Sequence, residues 1–165
     1  MMTCIHIKPF VIGLWAWLLL GVCLPLNAMT LPNQQLELVQ GERHILIPIA
    51  QVRHQAHRSF VVYDPFALQK THMQGVDLKT LLTQYFDPLP RQLRIKAWDD
   101  YSVVLSDWQF EHWVLVTAQD DQYLTLRDRG PLRLVRADLQ IEPPLRLRDF
   151  KEWIWMVRQI QVVQE

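Results

Sequence analysis

Cysteine is nearly absent from this chain of 165 residues: it has 2, Cys4 and Cys23, both within the first 23 positions. Beyond them no thiol is available for a disulfide, for nucleophilic catalysis or for a soft metal. Glycine is scarce (5) and serine is confined to Ser59, Ser102 and Ser106. No Gly-x-Ser-x-Gly elbow can be drawn from them, which removes that class of hydrolase. An excess of one charge is also missing, because 17 Lys+Arg balance 17 Asp+Glu. The basic footprint of a nucleic-acid binder is therefore not there. Repeats, low-complexity stretches and blocks of like charge do not occur, so no linker divides the chain. What is present is an apolar fraction of 50%, with 7 Trp, which describes a folded domain rather than a disordered tail.

One long hydrophobic run exists, Phe10 to Leu26, preceded by His6 and Lys8 and followed by Asn27-Ala28. It reads as a secretory signal peptide over 1–28, followed by a single domain over 29–165 in the periplasm. An uncleaved anchor is the alternative, since 17 apolar residues lie near the lower limit of about 17–25 for a membrane span. Val22 before Cys23 disfavours a lipid-modified signal. The exported domain would have no cysteine at all, so its hydrophobic core must hold the fold without disulfides.

Alternating apolar residues predict strands at 36–39, 44–49, 59–63, 93–97, 101–105, 113–117, 123–126 and 131–135. Turns are expected at Asp99-Asp100 and Asp120-Asp121. Val76, Leu78, Leu81, Leu82 and Tyr85 form a helical stripe over 76–86, stopped by Asp87-Pro88, and this is the only convincing helix. Ser106-Asp107 can cap a short helical turn. Trp153, Trp155 and Val157 share one face of a last strand, and Ile160 and Val162 continue it after a phase slip that a β-bulge would explain. Many strands with one helix give an α+β domain, with a mixed or barrel-like sheet.

Chemistry-bearing clusters are few. The six histidines, among them His54 and His57, lack a cysteine partner and a His-Glu-x-x-His spacing, and read as loop residues rather than metal ligands. The paired carboxylates fit turn chemistry better than acid–base work. Arg127-Asp128-Arg129-Gly130-Pro131-Leu132-Arg133 is more informative, because guanidinium forks held beside a carboxylate at a Gly-Pro turn suit planar recognition and ring stacking. A solvated charged turn is the plainer reading of the same residues.

Four motifs in order carry a resemblance: Gly75-Val76-Asp77-Leu78-Lys79-Thr80-Leu81-Leu82, Ala97-Trp98-Asp99-Asp100-Tyr101-Ser102-Val103, Arg127-Asp128-Arg129-Gly130-Pro131-Leu132 and Trp153-Ile154-Trp155-Met156-Val157-Arg158-Gln159-Ile160. Together they resemble the oxidoreductase molybdopterin-binding domain of the sulfite oxidase type, over about residues 60–162. The resemblance implies that family's fold. It also implies a cysteine ligand for molybdenum between the early strand and the helix, yet residues 60–66 contain none. Asp64 or Tyr63 would not replace a soft sulfur. The chain is therefore more similar to the short exported branch that binds a free pterin, without molybdenum or redox catalysis, and regulates a membrane-bound cyclic-di-GMP synthase or phosphodiesterase through its periplasmic domain.

On that resemblance the pterin-binding residues are Phe66, Trp98, Tyr101, Arg127, Asp128, Arg129 and Trp155. The rings would stack on the flat bicycle, Asp128 would accept from its N–H groups, and the arginines would donate to its carbonyl or side chain. Core packing is an equally open reading for Trp153 and Trp155. Two other functions remain: a molybdopterin-dependent oxidoreductase with an unusual ligand, and a ligand-free adaptor that keeps the fold as a scaffold.

Overall fold

The computed structural model describes residues 34–163 except 107, 111 and 139–145. The expected signal segment and both cysteines lie outside the described residues. The chain runs β1 (Gln35–Gln40), β2 (Arg43–Pro48), α1 (Ile49–His54), β3 (Arg58–Asp64), β4 (Gln69–Asp77), α2 (Leu78–Leu82), β5 (Gln92–Ala97), β6 (Ser102–Ser106), β7 (Trp113–Gln119), β8 (Gln122–Tyr123), β9 (Arg133–Arg136) and β10 (Val157–Val162). Two 3-10 turns, Trp108–Phe110 and Leu147–Phe150, lie between strands.

The strands form two sheets. One has the order β2-β1-β10-β5-β6, in which β1 and β10 run parallel and the other neighbours antiparallel. The other has the order β3-β4-β7-β8, with β9 also paired to β7. The expected mixed sheet is therefore present, but the barrel-like closure is not. β7 divides one edge between two short partners, β9 along 113–116 and β8 along 118–119, so the second sheet ends there. The stretch leading into β10 meets it through a bridge between Leu134 and Ile154 and through the bond from Val157 N–H to the Leu132 carbonyl.

The alternation that predicts the strands also fills the core. Leu36, Leu38, Leu93, Ile95 and Ile160 point inward from the first sheet, and Met73, Val76, Leu115 and Leu134 from the second. The bulge expected in the last strand lies between Val157 and Gln159. Several expectations need correction. β4 over 69–77 is not among the expected strands, and of the strand expected over 123–126 only Tyr123 is in β8. The helix over 76–86 shrinks to five residues, because Val76 and Asp77 still pair with Leu115 and Val114 of β7 as the end of β4. A second helix, α1, occupies 49–54, buries Ile49 and Val52, and starts where Pro48 ends β2. Trp153 and Trp155 precede β10 rather than belonging to it.

Gly75 decides how closely the central strands approach. A Cβ at this position would lie 2.2 Å from the Leu115 carbonyl oxygen, and the β4–β7 register shifts between Gln74 and Gly75. Only a residue without a side chain fits that backbone contact.

Candidate functional site

The site is built by one loop, one turn and one crossing strand. Leaving β8, residues 124–131 fold back on themselves. Thr125 accepts at its carbonyl from Asp128 N–H (3.0 Å) and Gly130 N–H (2.7 Å), and the Asp128 carboxylate accepts from the Thr125 hydroxyl at 2.6 Å. That hydroxyl, then the Thr125 N–H, holds the Asp128 carboxyl below the usual range for Asp. One oxygen of Asp128 is thus committed to the turn. Arg129 takes the left-handed conformation, φ 59°, as does Met156, φ 53°. Both are unusual for long side chains. Met156 N–H donates to the Arg129 carbonyl, and the Met156 carbonyl accepts from Trp98 N–H, each at 3.1 Å. These bonds tie the arginine loop, the approach to β10 and the end of β5 together.

Above this junction the Arg129 guanidinium lies 5.3 Å from the Phe66 ring centre and 5.9 Å from that of Trp155. The two rings meet edge to face at 4.7 Å. Phe66 is presented by a tight turn after β3, where the Asp64 carboxylate accepts from Phe66 N–H (2.8 Å) and Ala67 N–H (3.2 Å). Beneath the rings lies Arg133, only 5% exposed, 5.0 Å from the Trp155 ring centre. It donates to Gln119 Oε1 at 2.7 Å and to the Asp128 carbonyl, and its Nη1 lies 3.6 Å from Asp64 Oδ2. Its Nε is buried without a partner. Burial lowers the affinity of this guanidinium for its proton and the Asp64 charge opposes the shift. An arginine stays protonated under such a load.

Arg127, Asp128, Arg129 and Arg133 open onto a cleft of about 400 Å³ that Gln119, Asp120 and Tyr123 also line. Phe66 and Trp155 stand outside its lining but join Arg127, Asp128 and Arg129 in one neighbourhood through the Arg129 guanidinium. Trp98 and Tyr101 do not. The Trp98 ring lies under Arg158 at 5.8 Å and lines a separate depression with Glu37 and Lys96, while Tyr101 donates through its hydroxyl to the Lys151 carbonyl at 2.8 Å. Sequence reasoning missed the buried pair of Asp64 with Arg133. The available signal was an arginine inside the apolar run Leu132 to Val135, which can be buried only with partners.

Among the described residues no three His, Cys, Asp or Glu side chains stand together as a metal site. His44 pairs with Glu37, His72 with Ser59, and His57 with the Gln55 carbonyl. The donors beside Phe66 do not fit a thiolate-held molybdenum either, because Asp64 is engaged by Arg133 and two backbone amides and no sulfur stands in its place.

No family profile and no curated protein matches the chain in sequence. Its structure matches that of the sulfane dehydrogenase SoxCD from Paracoccus pantotrophus, with a TM-score of 0.58 and 14% identity. The match covers 84% of this chain and 40% of the other, so this protein spans well under half of the dehydrogenase chain. The likeness shows a shared fold. That agrees with the sulfite oxidase-type architecture that the four motifs imply, at the level of the fold alone.

Proposed function

We propose that this protein binds a free pterin at the Phe66–Trp155–Arg129 cluster, without redox catalysis, and that the bound state governs its contact with a membrane-bound signalling protein, a cyclic-di-GMP synthase or phosphodiesterase. The observation that carries the reading is a guanidinium set over two rings beside a cleft lined by three arginines and two carboxylates, Asp120 and Asp128. A flat heterocycle with a guanine-like edge needs such a set: π faces, fixed cations to meet its carbonyl, and an acceptor for its N–H groups. One of the perpendicular Phe66 and Trp155 rings would supply a face and the other an edge, Arg129 and Arg127 the donors, and Asp128 its second carboxylate oxygen. Stacking at about 0.5–1.5 kcal/mol per ring falls short of the roughly 8 kcal/mol of a micromolar complex, so the charged contacts must supply most of the remainder.

The signalling partner rests on the motif resemblance. Periplasmic location rests on the leader-like segment Phe10 to Leu26. Calorimetry and Trp fluorescence quenching with oxidised and tetrahydro pterins test the ligand: micromolar binding that Arg129→Ala weakens at least tenfold is expected. Flat traces at high micromolar pterin overturn the reading. The second reading, a molybdopterin-dependent oxidoreductase, draws on the fold shared with a sulfane dehydrogenase. Stoichiometric molybdenum in protein purified from an exporting host would establish it in place of the first.

A further inference from the structure

A second, larger concavity lies behind the arginine loop. It measures about 610 Å³ against about 400 Å³ for the cleft, and it runs between α1 and the loop 124–131. Its floor is apolar, made by Ile49, Leu124, Leu126 and Pro131, and Leu126 is 47% exposed. At its rim stand Arg53 and Arg127, and no carboxylate lines it. Neither guanidinium has a carboxylate within 4 Å among the described residues. Arg53 is held in place by a bond to the Leu124 carbonyl at 3.1 Å and by the Tyr123 ring at 4.5 Å, so one cation is fixed before any partner arrives. An apolar trough with two cations that lack an ion-pair partner within 4 Å among the described residues selects a particular occupant: a side chain without charge to fill the floor, and a carboxylate close by to meet the rim.

We propose that this groove docks an extended acidic–aliphatic segment of a partner protein. Leu124 and Arg127 line both the groove and the cleft. A ligand that repositions Arg127 in the cleft therefore alters the charge offered to the partner on the other side of the same loop. Docking itself follows from the groove alone. The coupling rests on the ligand reading above, and it can act only through a difference in ligand affinity between free and docked protein.

Fluorescence anisotropy with the full chain and three labelled peptides tests this: Gly-Leu-Leu-Asp-Glu-Gly, its Asn-Gln counterpart and its Lys-Lys counterpart. The acidic peptide should bind at least tenfold more tightly than the amide form, with affinity falling as salt rises, and the basic form should not bind. Ala50→Glu, an exposed change on α1 that lines only the groove, should weaken the acidic peptide at least tenfold while leaving pterin quenching unchanged. Backbone amide shifts on peptide addition should centre on Ala50 and Leu126. No binding at millimolar peptide, equal binding of all three, or shifts centred elsewhere overturn the proposal. So does filling of the groove by residues 29–33 of the same chain or by a second copy, read as Leu126 contacts in the free protein or as a dimer in sedimentation. Loss of pterin binding with peptide binding intact would remove the ligand reading and leave docking standing.

Discussion

Removing the Asp64 carboxylate tests the centre of the site. Asp64 and Arg133 are 3% and 5% exposed, so Asp64→Ala leaves a largely buried guanidinium without its countercharge. Breaking a buried pair from one side costs about 3–5 kcal/mol. Two features reduce that figure here. The pair is 3.6 Å apart, beyond hydrogen-bond contact, and Arg133 keeps Gln119 and the Asp128 carbonyl. A third feature adds to it, because the same carboxylate accepts the Phe66 and Ala67 amides, and stranding those donors costs about 1–3 kcal/mol. Asp64→Ala should therefore lose about 4 kcal/mol. Asp64→Asn, which keeps an acceptor for the turn but not the charge, should lose about 2 kcal/mol. The double variant Asp64→Asn with Arg133→Met should be more stable than the two single losses predict by at least about 1 kcal/mol, since the stranded charge is then gone. Urea unfolding followed by circular dichroism at neutral pH gives all four values. A loss below about 1 kcal/mol for Asp64→Ala, or strict additivity in the cycle, would refute the view that this pair is the electrostatic support of the Phe66 turn.

Two further outcomes follow from particular contacts. Gly75→Ala should abolish cooperative unfolding or lower stability by several kcal/mol, because its Cβ would sit 2.2 Å from a backbone oxygen that cannot move without parting β4 from β7; a well-folded variant within about 1 kcal/mol of the parent contradicts the packing. Thr125→Val should move the Asp128 carboxyl titration upward toward the ordinary Asp value, followed by carboxyl-carbon NMR, since the hydroxyl is the main cause of its depression. A depressed folded value means the contribution of Asp128 to stability is present above its unfolded pKa and fades as pH falls through the folded one, so the variant should also lose part of the acid sensitivity below about pH 4. An unchanged titration would show that the turn does not set this group.

The sequence by itself determined most of the strands, since a period of two marks a half-buried strand, but it missed β4 over 69–77, overextended β8, and could show no inward side for β7, which is buried on both faces. It also marked the bulge before Ile160, the turn at Asp120-Asp121 and the arginine loop, and its four motifs pointed to a fold that the structural likeness supports. Local pattern misled at Val76 and Asp77, where a helical stripe of apolar residues was also the buried end of a strand. Only β7 arriving on the other side decided between them. The site was legible in part for the same reason. Phe66, Arg127, Asp128, Arg129 and Trp155 come from segments far apart in the chain, and their meeting depends on backbone bonds from Met156 to Arg129 and from Trp98 to Met156. Trp98 lies next to that junction through its backbone, yet its ring points to another depression, because alternate residues at the end of β5 serve opposite faces of the sheet. The burial of Arg133 beneath Trp155 was a tertiary decision as well. An arginine can occupy a core position only where the fold brings a carboxylate, an amide oxygen and a carbonyl to it, and those come from β3, β7 and the loop 124–131.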